Sequence, residues 1–169
     1  MLVNHYRLMR RIIGLLSIGL FFGQQTLQAQ EVSVVKWKEI QDILSQSSDT
    51  TYVVNFWATW CKPCVVEIPY FEEVQRNFKD RNVRVIMVSM DFAKDITTRV
   101  IPFVNHHRLT GKVWVLNEPD ANSWIDKINP EWSGAIPATL IVNNQKKKKV
   151  FFEQKLDYDR LVKELSDFL

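Results

Sequence analysis

The chain has only two cysteines in 169 residues, no internal repeat and no low-complexity linker, and beyond its leading segment it carries no net charge. Two cysteines exclude a disulfide-dense scaffold. The apolar run Ile12 to Phe22 is 11 residues long, short of the ~17–25 that a spanning helix needs. With neither repeat nor linker, residues 30–169 are expected to form one domain, long enough for a sizeable core.

What precedes that domain resembles an address. His5, Arg7, Arg10 and Arg11 come before the apolar run, and Gly23 to Thr26 lead into Leu27-Gln28-Ala29. This pattern predicts an export signal over residues 1–29, cut after Ala29, with an uncleaved leader that tethers the protein as the alternative. No cysteine near the cut can carry a lipid, and Arg10-Arg11 lacks the flanking residues of a twin-arginine signal. The formal charge of +3 resides in this leader, which holds three of the 22 Lys and Arg and none of the 19 Asp and Glu. The remainder is neutral and offers nothing to nucleic acid or to an anionic membrane.

The hydrophobic pattern alternates. Glu31 to Trp37 suggests a short strand, and Trp37, Ile40, Ile43 and Leu44 recur at helical spacing before a polar turn over Ser45 to Thr50. Thr51 to Trp57 is a β-branched and aromatic run, as in a strand covered on both faces. Ile68, Phe71, Val74 and Phe78 mark one face of a helix that Pro69 should bend. Val83 to Ser89 predicts a strand, Asp95 the cap of a helix through about His107, Lys112 to Leu116 a strand, and Ala121 to Ile128 a short helix. Ala138 to Val142 and Val150 to Phe152 should pair as a hairpin about Asn143-Asn144-Gln145, and Asp157 should cap a last amphipathic helix. The expectation is an α/β fold, a mixed central sheet with helices on both faces.

Cys61 and Cys64 fall where the strand Thr51 to Trp57 hands over to a helix. A bridge across two intervening residues closes so short a loop that it removes little entropy from the unfolded chain, so the spacing suits disulfide exchange better than a staple. A helix opening at Cys61 aims unpaired N–H groups and the positive end of its dipole at that sulfur, which favours thiolate. Cys61 is therefore the expected nucleophile. Cys64, one turn further in, is placed to attack the resulting mixed disulfide. Pro63 stiffens the turn, and Lys62 adds a positive charge that is equally well explained as a solvated side chain.

The segment Asn55-Phe56-Trp57-Ala58-Thr59-Trp60-Cys61-Lys62-Pro63-Cys64 resembles the active site of thioredoxin-fold proteins. Its continuation, Val65-Val66-Glu67-Ile68-Pro69, is similar to that of TlpA-like thiol:disulfide oxidoreductases, an exported branch that includes cytochrome-c-maturation reductases. Ala135 to Thr139 resembles the segment that bears the family's cis-proline loop. The resemblance implies a thioredoxin-like fold from about Trp37 to the end, with an extra strand and helix near Lys112 to Ile128. It also implies a redox-active Cys61–Cys64 disulfide, and a cis bond before Pro137 that turns the backbone of Ile136 toward Cys61 to pair with an extended substrate peptide. Trp60 is expected to shape the apolar surface that meets a partner, with Trp132 bordering it, while Trp57, Trp37, Trp114 and Trp124 are expected in the core.

Thioredoxins proper carry a buried Asp six residues before the first cysteine, and this chain has Asn55 there. An amide takes up no proton at neutral pH. The TlpA-like pattern places a functional Glu at Glu67, and the expectation is that it helps Cys64 lose its proton through a raised pKa.

The resemblance thus implies an exported, periplasmic oxidoreductase acting on protein thiols and disulfides, with no cofactor, leaning to a reductase re-reduced by a membrane-bound electron donor. An oxidase or isomerase is the alternative within the same chemistry. A copper-handling module is less well matched, since no His or Met lies close in sequence to the pair, and a peroxidase lacks the expected proline- and threonine-flanked cysteine. His106-His107 has no Cys or carboxylate at ligand spacing and is assigned no metal. Lys146 to Lys149 is expected to be a solvated edge that blocks aggregation.

Overall fold

The computed structural model describes residues 31–169, and the expected leader over 1–29 lies outside them. Six strands form one sheet: β1 (Val32–Val35), β2 (Thr51–Trp57), β3 (Val83–Ser89), β4 (Lys112–Leu116), β5 (Ala138–Asn143) and β6 (Lys148–Phe152). The spatial order is β1-β4-β3-β2-β5-β6. β1 to β4 run parallel, and β5 and β6 add on antiparallel, so the sheet is mixed as expected. The helices are α1 (Trp37–Ser45), α2 (Lys62–Phe78), α3 (Ile101–His107), α4 (Ile125–Ile128) and α5 (Tyr158–Ser166). None of them is long and apolar enough to cross a membrane.

β2 lies inside the sheet and is buried nearly throughout, which explains its unbroken β-branched and aromatic sequence. Alternation splits its side chains between two cores. Val53 and Trp57 join Cys61, Cys64, Ile68, Phe71 and Val74 on one face, while Val54 and Phe56 join Trp124, Ile128 and Trp132 on the other. Asn55 falls between Val53 and Trp57 by parity, so a polar residue enters the face that α2 covers. Every tryptophan assigned to the core is there, Trp57 and Trp124 with at most 1% exposure.

Four local expectations change. Trp37 opens α1 instead of closing β1, and the carboxylate of Glu39 accepts the Lys36 N–H at 2.9 Å at the helix start. Asp95 makes no side-chain cap: the chain passes through a 3₁₀ turn (Ala93–Asp95) and a π-helical turn (Ile96–Val100) before α3. Pro102 has no N–H to give and its ring crowds the preceding turn, so a wider turn ahead of it accommodates the missing bond. The expected helix over Ala121 to Ile128 splits into a 3₁₀ turn, capped by Asp120, and the single turn α4.

The lysine run is the fourth. β6 starts at Lys148, earlier than expected, and Lys147 takes a positive φ of 53° in the turn. Lys146 Nζ donates to the carbonyls of Phe168 and Leu169 at 2.8 and 2.9 Å, and Lys148 Nζ donates to that of Asp167. Two of the four lysines thus satisfy carbonyls just beyond α5, where its dipole favours cations. At the other end of α5 Asp157 accepts the Arg160 N–H at 2.9 Å, as expected.

Candidate redox site

The two cysteines meet in a disulfide with Cα atoms 5.3 Å apart. Cys61 is the N-terminal flanking residue of α2, and its carbonyl accepts the Val65 N–H at 3.0 Å. Cys61 thus stands at the N-terminus of a 17-residue helix, the end where the dipole is positive, and it makes no side-chain cap hydrogen bond. Cys61 retains 6% exposure and Cys64 none. Lys62 is exposed beside them.

The peptide bond Ile136-Pro137 is cis. The Ile136 carbonyl oxygen lies 3.7 Å from Cys61 Sγ, so the sequence-distant loop and the cysteines form one site. Two side chains fix this loop from behind. Trp132 Nε1 donates to the Ala135 carbonyl at 2.8 Å. The Glu153 carboxylate accepts the Ser133 and Ala135 N–H groups, each at 3.1 Å, together with the Ser133 hydroxyl. These bonds, the Ser133 hydroxyl first, hold the Glu153 pKa below its ordinary value. Gly134 between them has φ +89°, a conformation that suits a residue without Cβ.

Trp60, 60% exposed, stands on the site's surface as expected. Trp132 does not border that surface: it is 4% exposed and packs on Phe56, Trp124 and Phe151, supporting the loop from the core. Its side chain is large enough to fill that core, and its one polar group finds a partner in Ala135.

Beneath Cys64, Glu67 is fully buried one turn along α2. Asn55 Nδ2 donates to Glu67 Oε1 at 2.8 Å and to Thr139 Oγ1 at 3.1 Å, and the Leu156 N–H donates to Glu67 Oε2 at 2.8 Å. Burial raises the Glu67 pKa to about 7, against the two hydrogen bonds and the charge of Lys155, which lower it. A carboxyl poised there can exchange a proton near neutral pH. Sequence reasoning located Glu67 but not its link to Asn55, which follows from strand parity: Asn55 pairs with Thr139 across β2 and β5, on the face α2 covers.

One further group escaped sequence reasoning. Asp91, two residues past β3 and 2% exposed, accepts the Thr59 N–H at 2.9 Å and the Thr59 hydroxyl at 2.6 Å. Its only sequence signal is an acid just beyond a buried strand.

Among the described residues no three His, Cys, Asp or Glu side chains cluster as a metal site would. His107 stacks on Phe103 with ring centroids 4.1 Å apart, and burial followed by the charge of His106 lowers its pKa.

A parallel sheet extended by an antiparallel hairpin, with a Cys-x-x-Cys pair opening a helix opposite a cis-proline, defines the thioredoxin fold. Solved structures share it: the DsbF homologue of Corynebacterium diphtheriae (TM-score 0.59, 20% identity, 73% of this chain and 75% of that one) and a thioredoxin-related protein of Neisseria meningitidis serogroup B (TM-score 0.61, 18% identity, 73% and 87%). The AhpC/TSA family pattern matches residues 25–150, and the chain belongs to that family. Among curated relatives, the thiol-disulfide oxidoreductase ResA of Oceanobacillus iheyensis is 27% identical over 124 residues, 73% of this chain and 60% of that protein. The thioredoxin-like protein YneN of Bacillus subtilis is 31% identical over 93 residues, 55% of this chain and 52% of that protein. The chain thus covers between half and three-fifths of the length of these two relatives.

Proposed function

We propose that the protein is an exported thiol:disulfide oxidoreductase that reduces disulfides of partner proteins through Cys61 and Cys64. The observation that carries this reading is the asymmetric pair itself: Cys61 at the mouth of α2, 3.7 Å from the Ile136 carbonyl, with Cys64 buried behind it.

In the reduced protein the Cys61 thiolate attacks one sulfur of a partner disulfide. A Cys61–partner bond forms, the partner's S–S bond breaks, and its second sulfur leaves as a thiolate that takes a proton from solvent. Cys64 then gives up its proton, for which Glu67 is the nearby buried acceptor, and attacks Cys61 Sγ. The Cys61–Cys64 bond forms and the first partner sulfur leaves as thiolate. Two electrons have passed to the partner, and a dithiol donor, proposed to be membrane-bound, restores the Cys61–Cys64 pair. The partner chain lies along the backbone of Ile136 and Pro137, next to Trp60.

The reductive direction, the periplasmic location and a role in cytochrome c maturation rest on the resemblance of Glu67 and its neighbours to the TlpA-like pattern, while the relatives named thiol-disulfide oxidoreductase support the exchange chemistry. The deciding experiment is the reduction potential of the pair, measured by equilibration with glutathione, together with reduction of a protein disulfide. A value near thioredoxin's, about −270 mV, supports a reductase. A value near that of the strong oxidant DsbA, about −120 mV, reverses the direction.

A further inference from the structure

Asp91 stands outside the chemistry just described, yet its carboxylate is spent on the cysteine loop. Oδ2 accepts the Thr59 N–H at 2.9 Å and the Ser89 hydroxyl at 2.7 Å, and Oδ1 accepts the Thr59 hydroxyl at 2.6 Å. Ser89 in turn accepts the Asp91 N–H at 3.0 Å, so the carboxylate is itself held in one orientation. A buried carboxylate with 2% exposure persists where donors replace its water, and here the donors include both polar groups of Thr59 that can give a hydrogen bond.

The position of Thr59 gives this grip a consequence. β2 ends at Trp57 and α2 begins at Lys62, so Ala58 to Cys61 are neither strand nor α-helix. The Met90 N–H donates to the Trp57 carbonyl at 2.7 Å just before this crossing, the Cys61 N–H donates to the Ala58 carbonyl at 3.1 Å within it, the Val65 N–H donates to the Cys61 carbonyl at 3.0 Å at its end, and Asp91 holds Thr59 in the middle. Trp60, exposed, and Cys61 follow directly. Without the Asp91 contacts the crossing would be anchored only at its ends, at Trp57 and Cys61, and a freed Thr59 would let Trp60 and the backbone leading into Cys61 turn between them.

We propose that Asp91 is a positioning residue for disulfide exchange: by gripping Thr59 it fixes the orientation in which Trp60 and Cys61 meet a chain docked along Ile136. The inference rests on the reading of Cys61 and Cys64 as an exchange site. Sulfur attack on a disulfide demands alignment along the S–S axis, and misplacement by about an ångström can cost a hundredfold. A small alkylating agent approaches the same thiolate from many directions and imposes no such demand.

The test compares wild type with Asp91→Ala, Asp91→Asn and Thr59→Val in the full chain. Two rates are followed for each reduced protein: kcat/KM with a peptide disulfide, and alkylation of Cys61 by iodoacetamide in a Cys64→Ala background. Asp91→Ala is expected to lower the peptide rate 10- to 100-fold while alkylation changes less than threefold. Asp91→Asn keeps an acceptor for the Thr59 N–H and recovers most of the peptide rate, and Thr59→Val, which loses only the hydroxyl, falls between. Should Asp91→Ala not fold, the Asn and Val variants carry the same comparison. The proposal is overturned if folded variants reduce the peptide at the wild-type rate, or if both rates fall in parallel, which is what a merely structural residue would give. A wild-type protein that exchanges no disulfide at all refutes instead the oxidoreductase reading.

Discussion

Asn55 donates a hydrogen bond to Glu67 at 2.8 Å, so the residue standing where thioredoxins proper carry an acid serves the acid that stands elsewhere. The amide contributes no proton chemistry of its own. It stabilises charge on Glu67 while the dry surroundings oppose it, and burial wins, holding the pKa at about 7.

The first prediction follows from that value. The pKa of Glu67 is higher in the folded protein than its ordinary 4.5, so the folded state binds more protons than the unfolded one between these two pH values. The stability this confers is complete below pH 4.5 and is lost as the pH rises through about 7. The span corresponds to roughly 3 kcal/mol. Glu67→Gln cannot ionise, so its stability relative to wild type should rise by up to that amount across the window, read from urea denaturation at pH 4.5 and pH 8. The same variant should lose the ionisation near pH 7 from the profile of the resolving step, and an unchanged profile removes Glu67 from the proton path.

Asn55→Asp supplies the second. A carboxylate in place of the amide would lie about 2.8 Å from Glu67 Oε1, and two like charges at that distance in a buried site cannot both persist. One of the pair stays protonated above pH 7, and the variant should be destabilised by about 2 kcal/mol or more at pH 8 and much less at pH 5. Equal loss at both pH values would show that shape, not charge, is at stake.

Most of this arrangement was legible in the sequence because periodicity reports burial. The β2 run, the α2 stripe and the Ala138 strand are each set by which side chains must leave water, and the structure places them as expected. Asp95 is no cap because Pro102, seven residues on, reshapes the turn before it, an influence that the local chemistry of an Asp does not carry. Closeness in sequence to Pro137 points Trp132 to the surface, whereas its size sends it inward. Asn55–Glu67 spans 12 residues and follows from strand parity, whereas Asp91–Thr59 and Glu72–Thr110 span 32 and 38 residues and depend on sheet order, which no local pattern encodes.

Glu72 offers the control that separates stability from chemistry. It lies on the same helix as Glu67 and is 5% exposed, yet its oxygens accept the Thr110 N–H and hydroxyl at 2.8 and 2.7 Å, tying down the start of β4. Glu72→Ala removes a buried acceptor from the part-buried Thr110 N–H and hydroxyl and should cost about 1–2 kcal/mol in denaturant unfolding. At temperatures where it remains folded, its exchange rate and pH profile should match wild type. A shifted profile would mean that the two buried glutamates of α2 act together.

Trp60 and Trp132 should divide stability and recognition between them. Trp60 exposes 60% of its surface beside Cys61, so Trp60→Ala should alter stability by no more than about 0.5 kcal/mol. If its face meets the partner, kcat/KM for a protein disulfide should fall about tenfold, equivalent to roughly 1.4 kcal/mol of binding, while a small aromatic disulfide is reduced at the wild-type rate. Trp132→Phe keeps most of the apolar volume but loses the bond to the Ala135 carbonyl, and should cost about 1–2 kcal/mol. Because that bond holds the loop that presents Ile136, its rate loss should reach both substrates: the small one because Ile136 stands 3.7 Å from Cys61 Sγ, the protein one because the chain docks there. Equal selectivity of the two variants between small and protein disulfides would mean that Trp60 contributes packing around the site and not the surface a partner recognises.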